Sequence, residues 1–366
     1  MIMAQNIDVK VSPTTKLRLE QALKAAGVED AASVRKLTID GTFMNNTDFM
    51  FVRQYMSETL HEVELGAAIK FGYVYLTGYT FDFCNVLNNI TVHQDNPCLA
   101  SENGVLFNKK KTKLICYPKG RKGDGGGYVI PNSVVIVGIN AFYGCRLTSI
   151  TIPAATVNIE QRLECCNSLT DIIVDPDNRI ISSQDGVLFN KKKTVLIRFP
   201  QQKQGDYAIP DSVIVVRSDA FRNCAYLTSV NFPDTVTEID SLIFKGCTGL
   251  KSVFISASIV NINGDNLKDC TAFVTVHNDN PVYESIDGKL KLRKNCSMEE
   301  VANIRHSRKK EINYVIKENV VCLTPDEWLD TGIRIIMRPY KVEELISHEE
   351  FLKRFVYANT PSFRHS

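Results

Sequence analysis

Apolar residues recur along this chain in a short pattern, L-x-x-Φ-x-Φ, in which Φ is an apolar residue. Such alternation predicts a β-strand whose apolar side chains point inward while the intervening side chains lie on an exposed face. We predict strands of this kind at Val34–Ile39, Leu60–Leu65, Leu87–Val92, Leu147–Ile152, Leu169–Val174, Leu227–Phe232 and Leu250–Ile255.

The pattern belongs to a longer unit that repeats every 23 residues from Tyr207 onward. Each unit carries an apolar residue followed three positions later by a cysteine. A unit this short cannot bury a core alone, so it must stack on the next copy. The repeat therefore predicts a solenoid over residues 34–295, with one thiol per coil acting as a small apolar group. The predicted interior residues are Phe142, Cys145, Cys166, Phe221, Cys224, Phe244, Cys247 and Cys270.

A second element is duplicated within this array. The segments 103–118 and 185–200 are identical at 12 of 16 positions, and both contain N-K-K-K-T between two strand-like halves. This predicts two β-hairpins inserted between coils, with the lysines at their tips. A third copy is recognisable only up to Gly288. A D-N turn precedes each copy; Asx-turn hydrogen bonding explains it, and calcium binding is the alternative.

The phrase IPxSVxxIxxxAFxxCxxLTSIxIP, joined to DGVLFNKKKTxLIxxP, resembles the BspA-like leucine-rich-repeat family. The resemblance is strong over residues 100–290 and looser over 30–100. It implies a β-rich, right-handed, curved leucine-rich-repeat solenoid, a fold common on the surfaces of host-associated bacteria and of some protists. It also implies an adhesin or binding role, and the family carries no catalytic residues that would transfer to this chain.

The two ends lie outside the repeat. We predict that residues 1–33 form a helical cap over the end of the solenoid. Its helix would have Ser12 as the N-cap residue and would end at Gly27. Within residues 296–366 we predict a helix at TPDEWLDTG, a strand at IRIIMRP and a second helix at KVEELISHEEFLKRFVYA. This tail is either a closing cap or a small effector module with its own partner.

Composition narrows the function classes. The net charge of +2 gives no global field toward nucleic acid, and no apolar run is long enough to span a membrane. No secretory signal is visible at the start, so the chain is either intracellular or has lost its signal. Eleven cysteines cannot all pair internally. We find no nucleophile–base, phosphate-loop or metal-ligand motif, and we expect no enzyme activity, cofactor or metal.

The surface offers two candidate binding sites. Hairpin lysines could engage a sulfated glycan or another polyanion, although lysines also keep hairpin edges soluble and block strand addition. The exposed strand face is mostly small and hydroxylic, with Phe254 as its one large aromatic residue, and suits a broad polar contact. The candidate contact residues are Lys109, Lys110, Lys111, Lys113, Lys191, Lys192 and Lys193 in the hairpins, and Thr151, Asn231, Lys251 and Phe254 on the strand face.

The sequence therefore predicts a monomeric binding or adhesion protein outside the cell or on its surface. Its expected partner is an extracellular-matrix or cell-surface protein, or a glycan, for which both neutral and sulfated kinds are candidates; nucleic acid is not expected. The alternatives are an intracellular interaction scaffold and an effector whose activity lies in residues 296–366.

Overall fold

The computed structural model describes residues 7–303, apart from residues 72–80, 82, 124, 139, 158, 160–162, 164–165, 263, 268–269, 295, 298 and 302. These residues form a β-rich solenoid of about 11 turns and lie within one compact unit, Met1–Ile312. The predicted tail elements and Cys165 and Cys322 lie outside the described residues. The right-handed, curved course and the boundaries at 33/34 and 295/296 stay predictions.

One strand of each coil joins a parallel sheet, and this sheet is divided into three panels. The first panel contains β1 (Ile7–Val11), β2 (Val34–Ile39), β4 (Glu62–Leu65) and β6 (Asn89–Val92). The second contains β10 (Gly127–Val129), β12 (Ser149–Ile152) and β13 (Asp171–Val174). The third contains β17 (Gly205–Ala208), β19 (Leu227–Asn231), β21 (Ser252–Ile255) and β22 (Phe273–Val276). The seven predicted strands all fall within these panels.

Alternation places the apolar side chains inward, as expected. In β2, Leu37 and Ile39 are fully buried, whereas Lys36 and Thr38 between them are partly exposed. Neighbouring strands pair in register, so Leu37 stands beside Val63, and Val63 beside Ile90. Each buried side chain therefore packs on its counterpart in the next coil, which is how short repeats share one core.

An antiparallel strand pair follows the last strand of each panel. The pairs are β7 (Leu99–Glu102) with β8 (Val105–Asn108), β14 (Ile181–Gln184) with β15 (Val187–Asn190), and β23 (Tyr283–Ile286) with β24 (Lys289–Leu292). A tight turn with positive φ joins each pair, as at Asn103 (47°) and Gly104 (75°). The third copy contains this first pair alone: within the described residues β24 pairs only with β23, in agreement with the decay of the repeat after Gly288.

The duplicated segments do not project from the body. After β8 and β15 the chain continues into β9 (Lys113–Cys116) and β16 (Val195–Arg198), which pair in parallel with strands of the following coil, β11 (Ile136–Val137) and β18 (Val215–Val216). Strand β18 in turn pairs with β20 (Glu238–Ile239). The V-L-F residues of β8 and β15 are fully buried. Strand β8 also pairs antiparallel with β9, and β15 with β16, so the N-K-K-K-T turns form the tips of these hairpins. These four strands are largely buried and belong to the stacked core, whereas β24 of the third copy is mostly exposed.

The amino-terminal end differs from the predicted helix. The helix α1 is shorter, Leu19–Ala25, and its N-cap residue is Arg18 rather than Ser12. Pro13, next to Ser12, accepts a hydrogen bond from the Thr42 amide, so this stretch belongs to the turns of the first coil. The buried carboxylate of Asp48, in α2 (Asn46–Tyr55), accepts the Leu19 amide at 3.0 Å and thereby supplies the cap. A further short pair joins β3 (Phe43–Met44) and β5 (Lys70–Phe71).

Candidate binding surfaces

The third panel presents two rows of outward side chains, set by the pairing register. One row runs across four strands through Asp206, Ser229, Ser252 and Phe273. The next row runs through Ala208, Asn231, Phe254 and Thr275. The structure therefore places the predicted contact residues Asn231 and Phe254 side by side, with the exposed Lys251 directly before Ser252.

The sequence analysis gave Phe254 as the one large aromatic residue of the strand face, and the structure corrects this by adding Phe273. Phe273 is 57% exposed, whereas Phe254 is half-buried and meets the imidazole ring of His277 edge-on at 6.4 Å between centroids. Phe273 lies over Gly288 in the third hairpin turn, where an added Cβ would come within 2.3 Å of the ring. The 23-residue interval aligns Phe273 with the buried Leu250, whereas the strands pair with a 21-residue step that sets Phe273 beside Ser252. Alternation around the buried Val274 is the sequence signal that could have placed Phe273 on the outer face.

Asp206, at the acidic end of the first row, is hydrogen-bonded to a residue of the neighbouring strand. The hydroxyl of Thr228 donates to the Asp206 carboxylate at 2.5 Å. Hydrogen bonds from Thr228 and Ser229 lower the pKa of Asp206, and the positive charge of Lys251 acts in the same direction. Asp206 therefore remains an anionic acceptor at neutral pH, beside the neutral hydroxyl groups of the row.

The second panel has a different, more apolar face. Thr151 is half-buried between Val129 and Ile173 on the adjoining strands. Val129 and Ile173 are 67% and 48% exposed. The structure therefore separates Thr151 from Asn231, Lys251 and Phe254, which lie on another panel. The predicted strand-face residues form two sites rather than one.

The first lysine of each of these two hairpin tips contacts the turn that precedes its hairpin. Lys109 and Lys191 are exposed, and each ammonium group donates to a backbone carbonyl 15 residues earlier, Gln94 and Pro176, at 2.7 Å. In the third hairpin Arg293 bonds in the same way to Asn278. The same contact is present in the third copy, which lacks the K-K-K run. The first cation of each tip therefore stabilises the D-N turn that precedes it.

The remaining tip lysines also have local contacts. Lys111 forms an ion pair with Glu102, and the ammonium group of Lys193 donates to the Gln184 side chain at 2.9 Å. Lys110 and Lys192 are exposed, while Lys113 is half-buried at the start of β9. Each tip abuts an acidic turn, with Asp95 beside the first and Asp177 beside the second.

One further cation near the second tip, Arg198 at the end of β16, is buried. Arg198 is only 4% exposed, and its guanidinium group donates to the Asp219 carbonyl at 2.5 Å. Burial of a cation is costly unless it is paired or hydrogen-bonded. The hydrogen bond of Arg198 therefore stabilises the contact between coils, and its buried guanidinium group is not available to a ligand. Acidic neighbours and internal contacts together weaken the field that a polyanion would meet at these tips.

The D-N turns are held by buried asparagines. In Asn178, the side-chain amide donates to the carbonyls of Pro153 and Thr156, and its oxygen accepts the amides of Ile180 and Ile181, all at 2.8 to 3.0 Å. Asn96 and Asn280 repeat these four bonds in the other two hairpins. These contacts confirm the Asx-turn interpretation.

The predicted interior residues lie where the repeat placed them. Phe142, Cys145, Cys166, Phe221, Cys224, Phe244 and Cys247 are buried. Cys270 is half-buried and packs against the same core. The sulfur of Cys247 donates to the Phe221 carbonyl at 2.8 Å. A hydrogen bond from Cys224 lowers the pKa of Cys247, whereas burial raises that of Cys224.

Solved structures of bacterial leucine-rich-repeat proteins are similar to this chain at low identity. A protein from Eubacterium ventriosum is 15% identical, covering 69% of this chain and 67% of its own, with a TM-score of 0.38. A leucine-rich cell surface protein from Faecalibacterium prausnitzii is 18% identical, covering 66% and 87%, with a TM-score of 0.37. The pneumococcal vaccine antigen PcpA is 20% identical, covering 62% and 50%, with a TM-score of 0.31. No curated protein sequence matches the chain.

The repeats themselves match a family model. The BspA-type leucine-rich-repeat region matches in six copies, over residues 127–208 and 198–304. This range contains the second and third panels with their stacked phenylalanines and cysteines. Through these repeats the chain belongs to the BspA-type leucine-rich-repeat family.

Proposed function

We propose that this chain is a non-enzymatic binding protein that acts outside the cell or at its surface. It would recognise a glycan or a cell-surface or matrix protein through its repeat surface, and the third panel would make the main contact. The observation that carries this proposal is the exposed Phe273 beside Phe254, Asn231, Ser229 and Ser252 on one ordered sheet. The sheet presents these groups without further folding, so little conformational entropy is lost on binding.

The size of the third panel favours a small ligand. Four strands about 4.8 Å apart, each with about four residues at 3.3 Å, cover roughly 19 by 13 Å, or about 250 Å². A standard protein interface buries about 800 Å² on each partner. The panel alone therefore fits a short oligosaccharide, with the aromatic rings under the sugar and the hydroxyl and amide groups at its edges. A protein partner would have to cover additional surface.

We expect the purified chain to bind a neutral glycan in a way that resists moderate salt. Replacement of Asn231, Phe254 and Phe273 by alanine should weaken this binding at least tenfold, which corresponds to about 1.4 kcal/mol. Binding to arrays of neutral glycans, sulfated glycans and matrix proteins, at low and moderate salt, measures the effect.

A second variant separates the two candidate surfaces. Serine at Lys109–Lys111 and Lys191–Lys193 should leave neutral-glycan binding unchanged. Binding that collapses with salt and is lost only in this lysine variant would place the site at the hairpin tips. No binding to any of these ligands would contradict the proposal and direct attention to an intracellular partner or to residues 296–366.

Within the described residues, no helix is long and apolar enough to cross a membrane.

A further inference from the structure

Two thiols from neighbouring coils face each other in the core. The sulfur atoms of Cys145 and Cys166 are 3.5 Å apart, and each residue is about 1% exposed. The Cys166 thiol also lies 3.2 Å from the Phe142 carbonyl and donates to it. The two side chains therefore point toward one another and not merely into the same cluster.

The stacking of the coils fixes this arrangement. Strands β12 and β13, which follow the two cysteines, pair in register, with Ser149 beside Asp171 and Ile150 beside Ile172. Parallel strands lie about 4.8 Å apart, and equivalent residues of stacked coils have a similar spacing. This spacing falls within the Cα separations of about 4.4 to 6.8 Å that a disulfide requires. A bond could therefore form by side-chain rotation, without a change in the register of the coils.

We propose that Cys145 and Cys166 form a disulfide that links these two coils when the protein meets an oxidising thiol–disulfide pool. A thiolate of one cysteine attacks a low-molecular-weight disulfide such as oxidised glutathione and releases one reduced thiol. The second cysteine attacks the resulting mixed disulfide and releases another. The two protein thiols lose two electrons and two protons, and the reagent is reduced to two thiols.

Burial determines when this reaction occurs. A low-molecular-weight disulfide cannot reach either sulfur in the closed core, so the first step requires local opening of the coil or takes place during folding. Secreted and surface proteins fold in oxidising compartments, whereas the cytoplasm keeps thiols reduced. The bond is therefore expected in a chain that folds for export and not in one that folds in the cytoplasm.

The test is refolding of the full chain in a glutathione redox buffer, in a Cys98→Ser background that removes an exposed thiol. Digestion without reductant should yield a peptide pair joined through Cys145 and Cys166. The Tm should rise by about 5 °C and fall again on addition of a dithiol. Cys145→Ala should lose both the linked pair and the redox-dependent change in Tm.

Cys165 supplies the matched control, since it adjoins Cys166 in the sequence. Cys165→Ser should retain the linked pair. The inference is overturned if the link runs through Cys165, or if both Cys145 and Cys166 remain alkylatable after refolding in the oxidising buffer. Neither result depends on what the protein binds, so the disulfide and the proposed function fail independently.

Discussion

Replacement of Asn178 by alanine should lower the free energy of unfolding by about 4 kcal/mol. Asn178 is fully buried, and its side chain makes four hydrogen bonds that join two turns. Each bond contributes about 1 kcal/mol net, and its loss leaves a buried carbonyl or amide without that partner. Urea denaturation followed by far-ultraviolet circular dichroism measures the difference.

Two further variants show which half of the side chain matters. Asn178→Asp keeps the acceptor oxygens but turns a carboxylate toward the carbonyls of Pro153 and Thr156, so we expect a loss close to that of alanine. Asn132→Ala, in an exposed position of a nearby turn, should change stability by no more than about 0.5 kcal/mol. Full tolerance of Asn178→Asp would show that the two donor contacts contribute little and would contradict the four-bond account.

Replacement of Phe221 by alanine should cost a similar amount, about 4 kcal/mol. Phe221 is fully buried among aromatic rings from three coils, with centroid distances of 5.4 Å to Phe244, 5.5 Å to Phe199 and 6.1 Å to Tyr207. Truncation would leave a cavity between coils, because neighbours in fixed register cannot close over the missing ring. The same urea experiment provides the measurement.

Phe273→Ala is the matched control for Phe221. The same side chain is removed, but its ring is mostly exposed on the third panel, so stability should change by no more than about 0.5 kcal/mol. Equal losses in the two variants would mean that exposure does not separate core phenylalanines from surface ones. Phe273→Ala also supports the binding experiment. If this variant folds normally yet loses the ligand, Phe273 is a contact residue.

Much of the fold could be predicted because its signals are local and repeated. Leu37, Ile150 and Val253 are buried at alternate positions, as the strand pattern required. The 23-residue interval placed Phe221 with Phe244 and Cys224 with Cys247, since a repeating unit must use equivalent positions for equivalent contacts. The shortened α1 was less predictable, because its cap comes from Asp48, 29 residues away from the capped amide.

The candidate sites were harder to predict because they depend on contacts between coils. Nothing in the K-K-K run indicates that Lys109 and Lys191 reach back to carbonyls of the preceding turns. The exposure of Phe273 and the half-burial of Phe254 depend on the groups that the following segments place beside them. Strand alternation predicts only which side of the sheet a residue faces.

The sequence by itself determined the stacked architecture and the residues of the interior, because both follow from periodicity. Only the tertiary structure decided that Thr151 and Asn231 lie on different panels, that the tip lysines hold turns, and that two thiols 21 residues apart are in contact. The physical reason is that burial and pairing across coils depend on register, and register appears only when the repeats are stacked.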